Sequence, residues 1–481
     1  MKTKIIYLIL IAFFSITFTA CDKNFEQMNK SQDLVIAPTL DYMIPTIQLN
    51  LFEKSYYTHY TMLAVLDQQI QGSTVEAYQN QGTTMSHLFD DIYPKTIKNV
   101  VDVIEKTKSD PTLVNYWAMA SIMRAYEISR QTDAYGDVPY KEAGLGYEQQ
   151  IVYPKYDKQQ DIYYGICDEI EAAIKAFDPS KKLVPKLSDI VYGADMTKWK
   201  KFGYSLMLRY GMRMSNVDPA KAKLVIAKAI AGGLMTKNDD SFVVYYLPDT
   251  YYATTANGNA AANKYDYKLT DVFINLLKNT NDPRLSVYSM LPDGTTTPAS
   301  QLGFKLFASD NTSKKIVSTP NTATYARFDS PYVHMSYAET EFLLAEAILR
   351  GWVTGDATAH FQAGIRANME FQSIYGSKGV IPKAAIDIYI ASTPFNIANY
   401  NEAFTSIYTQ MWIMLYYNWN EAFANWRRTG VPSFNTTIDA KLSRRLIYPQ
   451  SEWNSNGANV REAIARQGDD NCMTRMWWDK K

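Results

Sequence analysis

Apolar residues return every three or four positions through most of this chain, and that rhythm commits it to burying its core by packing helix on helix. In DKQQDIYYGICDEIEAAIKAFDP (157–179), Ile162, Ile166, Ile170, Ala173 and Phe177 fall on one helix face. Asp157 with Gln160 has the spacing of a capping box, and Asp178-Pro179 ends the run. MTKWKKFGYSLMLRYGMRM (196–214) repeats the pattern through Trp199, Phe202, Leu206 and Tyr210. SYAETEFLLAEAILRGW (336–352) puts Ala338, Phe342, Ala345 and Leu349 on one stripe and closes on Gly351 as a C-cap. Further helices are expected near 40–70, 92–108, 112–131, 218–231, 267–278, 356–372, 399–427 and 458–467.

Paired helices of this length predict a mostly α fold of stacked helical hairpins, tetratricopeptide-like, although no 34-residue signature repeats along the chain. Two stretches break the rhythm and are expected to be long irregular loop excursions. One is about 71–91; the other is about 233–332, rich in Gly, Asn, Thr, Pro and Tyr, with a short strand at SFVVYYL (241–247). Excursions from a rigid helical scaffold are where binding residues concentrate.

The N-terminus sets the compartment. MKTKIIYLILIAFFSITFTAC starts basic, runs apolar from Ile5 to about Phe18, and ends in small residues before Cys21. This reads as a lipoprotein signal peptide over 1–20, with Cys21 as the acylated residue. Residues 21–36 are polar and aperiodic and suit a flexible tether, leaving 37–481 as one helical domain with insertions. The chain is then expected to be anchored to a membrane by lipid.

Lys+Arg and Asp+Glu are both 49, so no electrostatic footprint for nucleic acid exists. Cys21, Cys167 and Cys472 show no metal or redox spacing, and the histidines (His59, His87, His334, His360) form no HExxH-type cluster. No metal and no cofactor are expected. The 36 Tyr and 9 Trp are the unusual feature: most must pack, but such residues also line wet, amphipathic binding surfaces.

Three polar motifs invite a chemical reading. Asp133 and Asp137 in TDAYGDVPY could form a catalytic pair; carboxylates at such a turn more often accept backbone N–H bonds. WRRTG (426–430) could clamp an anion, or end a helix by pairing its arginines with buried carboxylates. Arg209 and Arg213 lie one turn apart and are placed to reach Glu341 or Glu346.

QTDAYGDVPYKEA (131–143), YPKYDKQQDIYYGI (153–166), DIVYGADMTKWKKFGYSLMLRYGMRM (189–214), DPRL (282–285), MSYAETEFLLAEAILRGW (335–352), NEAFANWRRTGVP (420–432), RRLIYPQSEWNSNGANV (444–460) and WWD (477–479), in that order, resemble the SusD/RagB-like outer-membrane lipoproteins. Ala194 stands where that family commonly has a second glycine, Tyr204 where it has Asn, and Met411 where it has Lys. The resemblance implies a non-catalytic surface protein that captures a nutrient, an oligosaccharide before a peptide, and delivers it to a SusC-like TonB-dependent transporter. Glycan capture asks for flat aromatic faces and side-chain amides, which the excursions supply. The candidate contacts are Tyr78, Tyr251, Tyr252, Asn257, Tyr265 and Tyr267. Alternative readings are a peptide-binding lipoprotein of the same fold, a scaffold without its own ligand, and a surface glycoside hydrolase, which would need two carboxylates at a set separation across a cleft.

Overall fold

The computed structural model describes residues 39–53, 58, 62–71, 82–246, 267–305, 317–327, 329–433 and 442–480. Helices dominate. In chain order they are α1 (Leu40–Glu53), α2 (Gly82–Asp90), α3 (Lys98–Thr107), α4 (Val114–Tyr135), α5 (Gln159–Ala176), α6 (Met196–Arg213), α7 (Pro219–Gly232), α8 (Asp271–Asn279), α9 (Tyr337–Leu349), α10 (Ala357–Phe371), α11 (Lys383–Ser392), α12 (Tyr400–Met414), α13 (Trp419–Thr429) and α14 (Gln450–Gln467). Short strands pair two at a time and antiparallel: β1 (Ile70–Gln71) with β5 (Lys268–Leu269), β2 (Val138–Pro139) with β3 (Tyr156–Asp157), β4 (Phe242–Val244) with β8 (Tyr332–Met335), and β6 (Ser289–Met290) with β7 (Thr319–Pro320).

Neighbours in sequence pack as neighbours in space: α3 on α4, α4 on α5, α5 on α6, α6 on α7, then α9 on α10 and α12 on α13. This is the stack of helical hairpins that the periodicity implies. The predicted stripes face inward. Ile162, Ile166, Ile170 and Ala173 of α5, Trp199, Phe202 and Leu206 of α6, and Ala338, Phe342 and Ala345 of α9 are all fully buried. Glycines allow close approaches between helices. A Cβ on Gly203 would stand 2.7 Å from Ile174, and one on Gly364 would stand 2.7 Å from the Phe342 ring. Either helix would have to back away to accept a larger residue.

Several expectations are corrected. The 71–91 stretch contains α2, whose Met85, Leu88 and Phe89 are buried, so its second half is scaffold and not excursion. Of the helix expected over 40–70, the described residues show Leu40–Glu53 and a short helix at Ala64–Leu66, after which the chain enters strand at Ile70–Gln71. The 399–427 run is two helices, because the chain turns between Met414 and Trp419 with Tyr417 at φ 74°. Lys383–Ser392 forms a helix that was not expected, and α14 starts eight residues before the expected 458, kinking at Asn456.

Asp157 does not cap α5. It lies in β3, and its carboxylate accepts from Tyr140 N at 3.1 Å and Lys141 N at 2.9 Å. The first-turn amide of Gln159 donates instead to Asp137 Oδ1 at 2.9 Å. Strand pairing of Val138 with Asp157 delivers Asp137 to that helix end, an arrangement local spacing could not reveal.

Arginines staple the layers. Arg209 of α6 makes a two-armed pair with Glu339 of α9 (2.6 and 2.7 Å), and one guanidinium nitrogen of Arg213 donates to both carboxylate oxygens of Glu421 on α13 (2.6 and 2.7 Å). Their partners are therefore not Glu341 or Glu346. Glu341 meets His360 at 2.7 Å, and Glu346 takes both arms of Arg428 at 2.6 and 2.8 Å. Which carboxylate each arginine meets is set by how the facing helices pack, because a buried guanidinium needs its partner at fixed geometry.

Candidate functional site

The pairing of β1 with β5 joins the two predicted excursions. Ile70 pairs Leu269 and Gln71 pairs Lys268, so residues 72–81 leave and residues 247–266 return at one place. Ser318, preceding β7, continues the patch: its carbonyl accepts from Leu269 N at 2.9 Å, while Thr270 bridges Phe304. Phe304 and Ser318, on either side of 306–316, therefore lie on the same face.

Beneath these roots lies an aromatic floor. Phe273 of α8 stacks on Tyr288 and Tyr416 with centroids 6.1 and 5.2 Å apart and meets Trp412 edge-on at 5.2 Å. Tyr325 stacks on Tyr375 at 4.0 Å and stands 5.0 Å from Tyr417. The amide and indole groups of the floor pair with one another. Gln69 donates to Trp412 O at 2.7 Å and accepts from Trp419 Nε1 at 2.7 Å, and Trp412 Nε1 donates to Asp67 O at 2.9 Å. Two non-glycine residues here adopt left-handed backbone, Gln68 at φ 57° and Tyr417 at φ 74°. Each such conformation costs ~1–3 kcal/mol and persists only where surrounding packing over-determines it. The floor is rigid and closed: the cavity between Tyr325, Tyr332, Tyr375 and Asn418 holds about 30 Å³, room for water but not for a sugar ring.

Of the candidate contacts, Tyr78, Tyr251, Tyr252, Asn257 and Tyr265 lie outside the described residues, as does Cys21. Tyr267 is buried at 6% exposure, one residue before β5, among the core residues under the face. The sequence reading did not single out Tyr245. It directly follows β4, is 56% exposed, and presents an aromatic ring at the start of the 247–266 segment. No local pattern in SFVVYYL flags it, since Ser241 through Val244 and Tyr246 are all buried and Tyr245 alone among its described residues is exposed.

The other motifs resolve as structure. Asp133 accepts from the Tyr163 hydroxyl and faces Arg213 at 3.4 Å; Asp137 holds Gln159 N and pairs Arg466 at 3.0 Å. Burial raises both carboxyls, and for Asp133 the Arg213 charge opposes it most. Arg427 of WRRTG donates to Phe423 O and Arg444 O, with its guanidinium 3.7 Å from the Phe423 ring centroid. Arg428 pairs with buried Glu346 as expected of a helix end, whereas Arg427, expected to meet a carboxylate as well, is held by backbone carbonyls. Cys167 and Cys472 are free thiols, and burial pushes the Cys167 thiol up to about 12. Among the described residues no three His, Cys, Asp or Glu side chains gather as metal ligands, and no helix is long and apolar enough to cross a membrane.

A family model described as starch-binding and associating with the outer membrane, SusD-like_2, matches residues 25–449. Solved structures match over 92% of this chain and 100% of their own. They include a chitin-binding protein (30% identity, TM-score 0.82), a Bacteroidetes SusD-like protein (27%, 0.81) and a SusD homologue of Bacteroides fragilis (25%, 0.76). None of the curated proteins matches this chain.

Proposed function

We propose, on the premise that this chain belongs to the SusD-like family of outer-membrane nutrient-binding proteins, that it captures an oligosaccharide on the face where its excursions root. The captured glycan is passed uncleaved to a SusC-like TonB-dependent transporter. Acylation at Cys21 holds the protein at the outer surface, with residues 21–36 as tether.

The observation that carries this reading is the convergence of three sequence-distant segments on one aromatic-floored face, through β1–β5 pairing and the Ser318 contacts. A rigid floor with Tyr245 at its edge supplies a fixed base, and tyrosine- and amide-rich loops supply ligand chemistry. The similarity to a chitin-binding protein supports a glycan over a peptide and makes β-linked N-acetylglucosamine oligomers the first ligands to try. The commitment of Asp133 and Asp137 to Tyr163, Arg213, Gln159 and Arg466 supports binding without hydrolysis.

Calorimetry of the mature chain with N-acetylglucosamine and malto-oligosaccharides, followed by chromatography of the recovered sugar, tests the proposal. Binding with intact sugar is expected. Shortened products would replace it with a hydrolase, and binding of oligopeptides with no glycan bound would transfer the site to a peptide ligand.

A further inference from the structure

We propose a second ligand site, away from the loop face, for a sugar bearing an anionic substituent such as a carboxylate. It lies where the first turn of α5, the last turn of α14 and the C-terminal segment meet. These elements line an open cleft of about 540 Å³, the size of one or two sugar rings and within the usual range for small-molecule sites.

Its lining has the chemistry of acidic-sugar recognition. Trp477 is half-buried and offers a flat apolar surface, steadied by Tyr163 and Tyr164 with centroids 6.3 and 6.1 Å away. Gln160 contributes an amide whose nitrogen donates to the Tyr164 hydroxyl at 2.9 Å, which turns its carbonyl to the role of acceptor for a ligand hydroxyl. Four cations line the walls: Lys158, Arg466, Arg475 and Lys480. Two are already engaged, Arg466 with Asp137 at 3.0 Å and Arg475 with Asp479 at 2.9 Å. Lys158 and Lys480 make no ion pair among the described residues, and both are exposed at the cavity. Asp137 is the lining carboxylate, and it is spent on Arg466 and on the Gln159 amide. The wall therefore carries uncompensated positive charge beside an aromatic plane, in a chain whose formal net charge is zero. A neutral sugar would leave those ammoniums to water, whereas a sugar acid would add charge-assisted hydrogen bonds to them.

The test uses the mature chain with its C-terminus intact, titrated calorimetrically with digalacturonate. A neutral disaccharide and sodium sulfate serve as controls. Digalacturonate is expected to bind and to weaken as salt rises, because the partner cations are solvent-exposed. Lys158→Ala/Lys480→Ala and, separately, Trp477→Ala should each weaken it ~10-fold or more. The two lysines are exposed, so the double variant keeps its fold, which a thermal melt verifies. Absence of digalacturonate binding at millimolar concentration overturns the proposal, as does an affinity unchanged in the lysine double variant. Sulfate binding as tightly as digalacturonate, with Trp477→Ala silent, reduces the pocket to a bare anion site and also overturns it. Binding of neutral oligosaccharides at the loop face should be the same in all these variants, so failure here and failure of the proposed nutrient capture are separable.

Discussion

Glu346→Gln is the sharpest test of the arginine staples. Glu346 is fully buried on α9 and takes both arms of Arg428 from α13, Arg350 Nε at 2.9 Å and the Tyr408 hydroxyl at 2.8 Å. Burial alone would raise its carboxyl. The guanidiniums of Arg428 and Arg350 outweigh burial and hold it down at about 2, against an ordinary 4.5. Because the folded value is depressed, the contribution to stability is present above the unfolded value and lost as pH falls toward the folded one. That depression corresponds to ~3 kcal/mol at pH 7, a contribution that shrinks to roughly half at pH 3. Removing the charge also leaves Arg428 buried without its carboxylate, so the observed loss at pH 7 should reach ~3–5 kcal/mol. Urea unfolding of both proteins at pH 7, 5, 4 and 3 measures it, provided one transition is seen by fluorescence and circular dichroism. The gap between wild type and Glu346→Gln should narrow steadily below pH 5. A gap under ~0.5 kcal/mol, or one that does not change with pH, would refute the claim that this cluster holds α9 to α13 electrostatically.

Three other outcomes are expected. Ala194 sits at φ 65°, a left-handed conformation that costs a residue with a Cβ ~1–2 kcal/mol, so Ala194→Gly should stabilise by ~0.5–1 kcal/mol after the added entropy of the unfolded glycine is offset; an unfolding midpoint at or below wild type would contradict this. Asp67 is buried, both its carboxyl oxygens lack a hydrogen-bond partner among the described residues, and burial raises its carboxyl well above 3.8, with Arg427 opposing and Glu421 adding to the rise. A raised value means stability that is full below the unfolded value and lost as pH climbs through the folded one. Asp67→Asn should therefore gain on wild type between pH 4 and pH 8, and parallel urea curves across that range would count against it. Tyr245→Ala should weaken oligosaccharide binding several-fold, ~1 kcal/mol, with an unchanged melting temperature, because the ring is exposed and bears no core load; calorimetry and a thermal melt on the same sample read both.

The helical stripes were legible from spacing because burial of one face is a local consequence of helix geometry, and Ile162, Ile166 and Ile170 needed no partner to be recognised. The family, too, was readable from ordered motifs such as TDAYGDVPY and WRRTG, although what those motifs hold together was not. Spacing put Arg209 and Arg213 within reach of Glu341 and Glu346, whereas packing chose Glu339 and Glu421, residues 130 and 208 positions away. Asp157 had the right neighbours for a helix cap, yet strand pairing took it and handed the task to Asp137.

By itself, the sequence determined which residues seek the interior and at what period, since transfer from water depends on residue type and local geometry alone. Only the tertiary structure decided which charge meets which, where the chain turns inside the 399–427 run, and that segments two hundred residues apart rise from one aromatic floor. Those outcomes depend on distances between elements, and a distance exists only once the helices have packed.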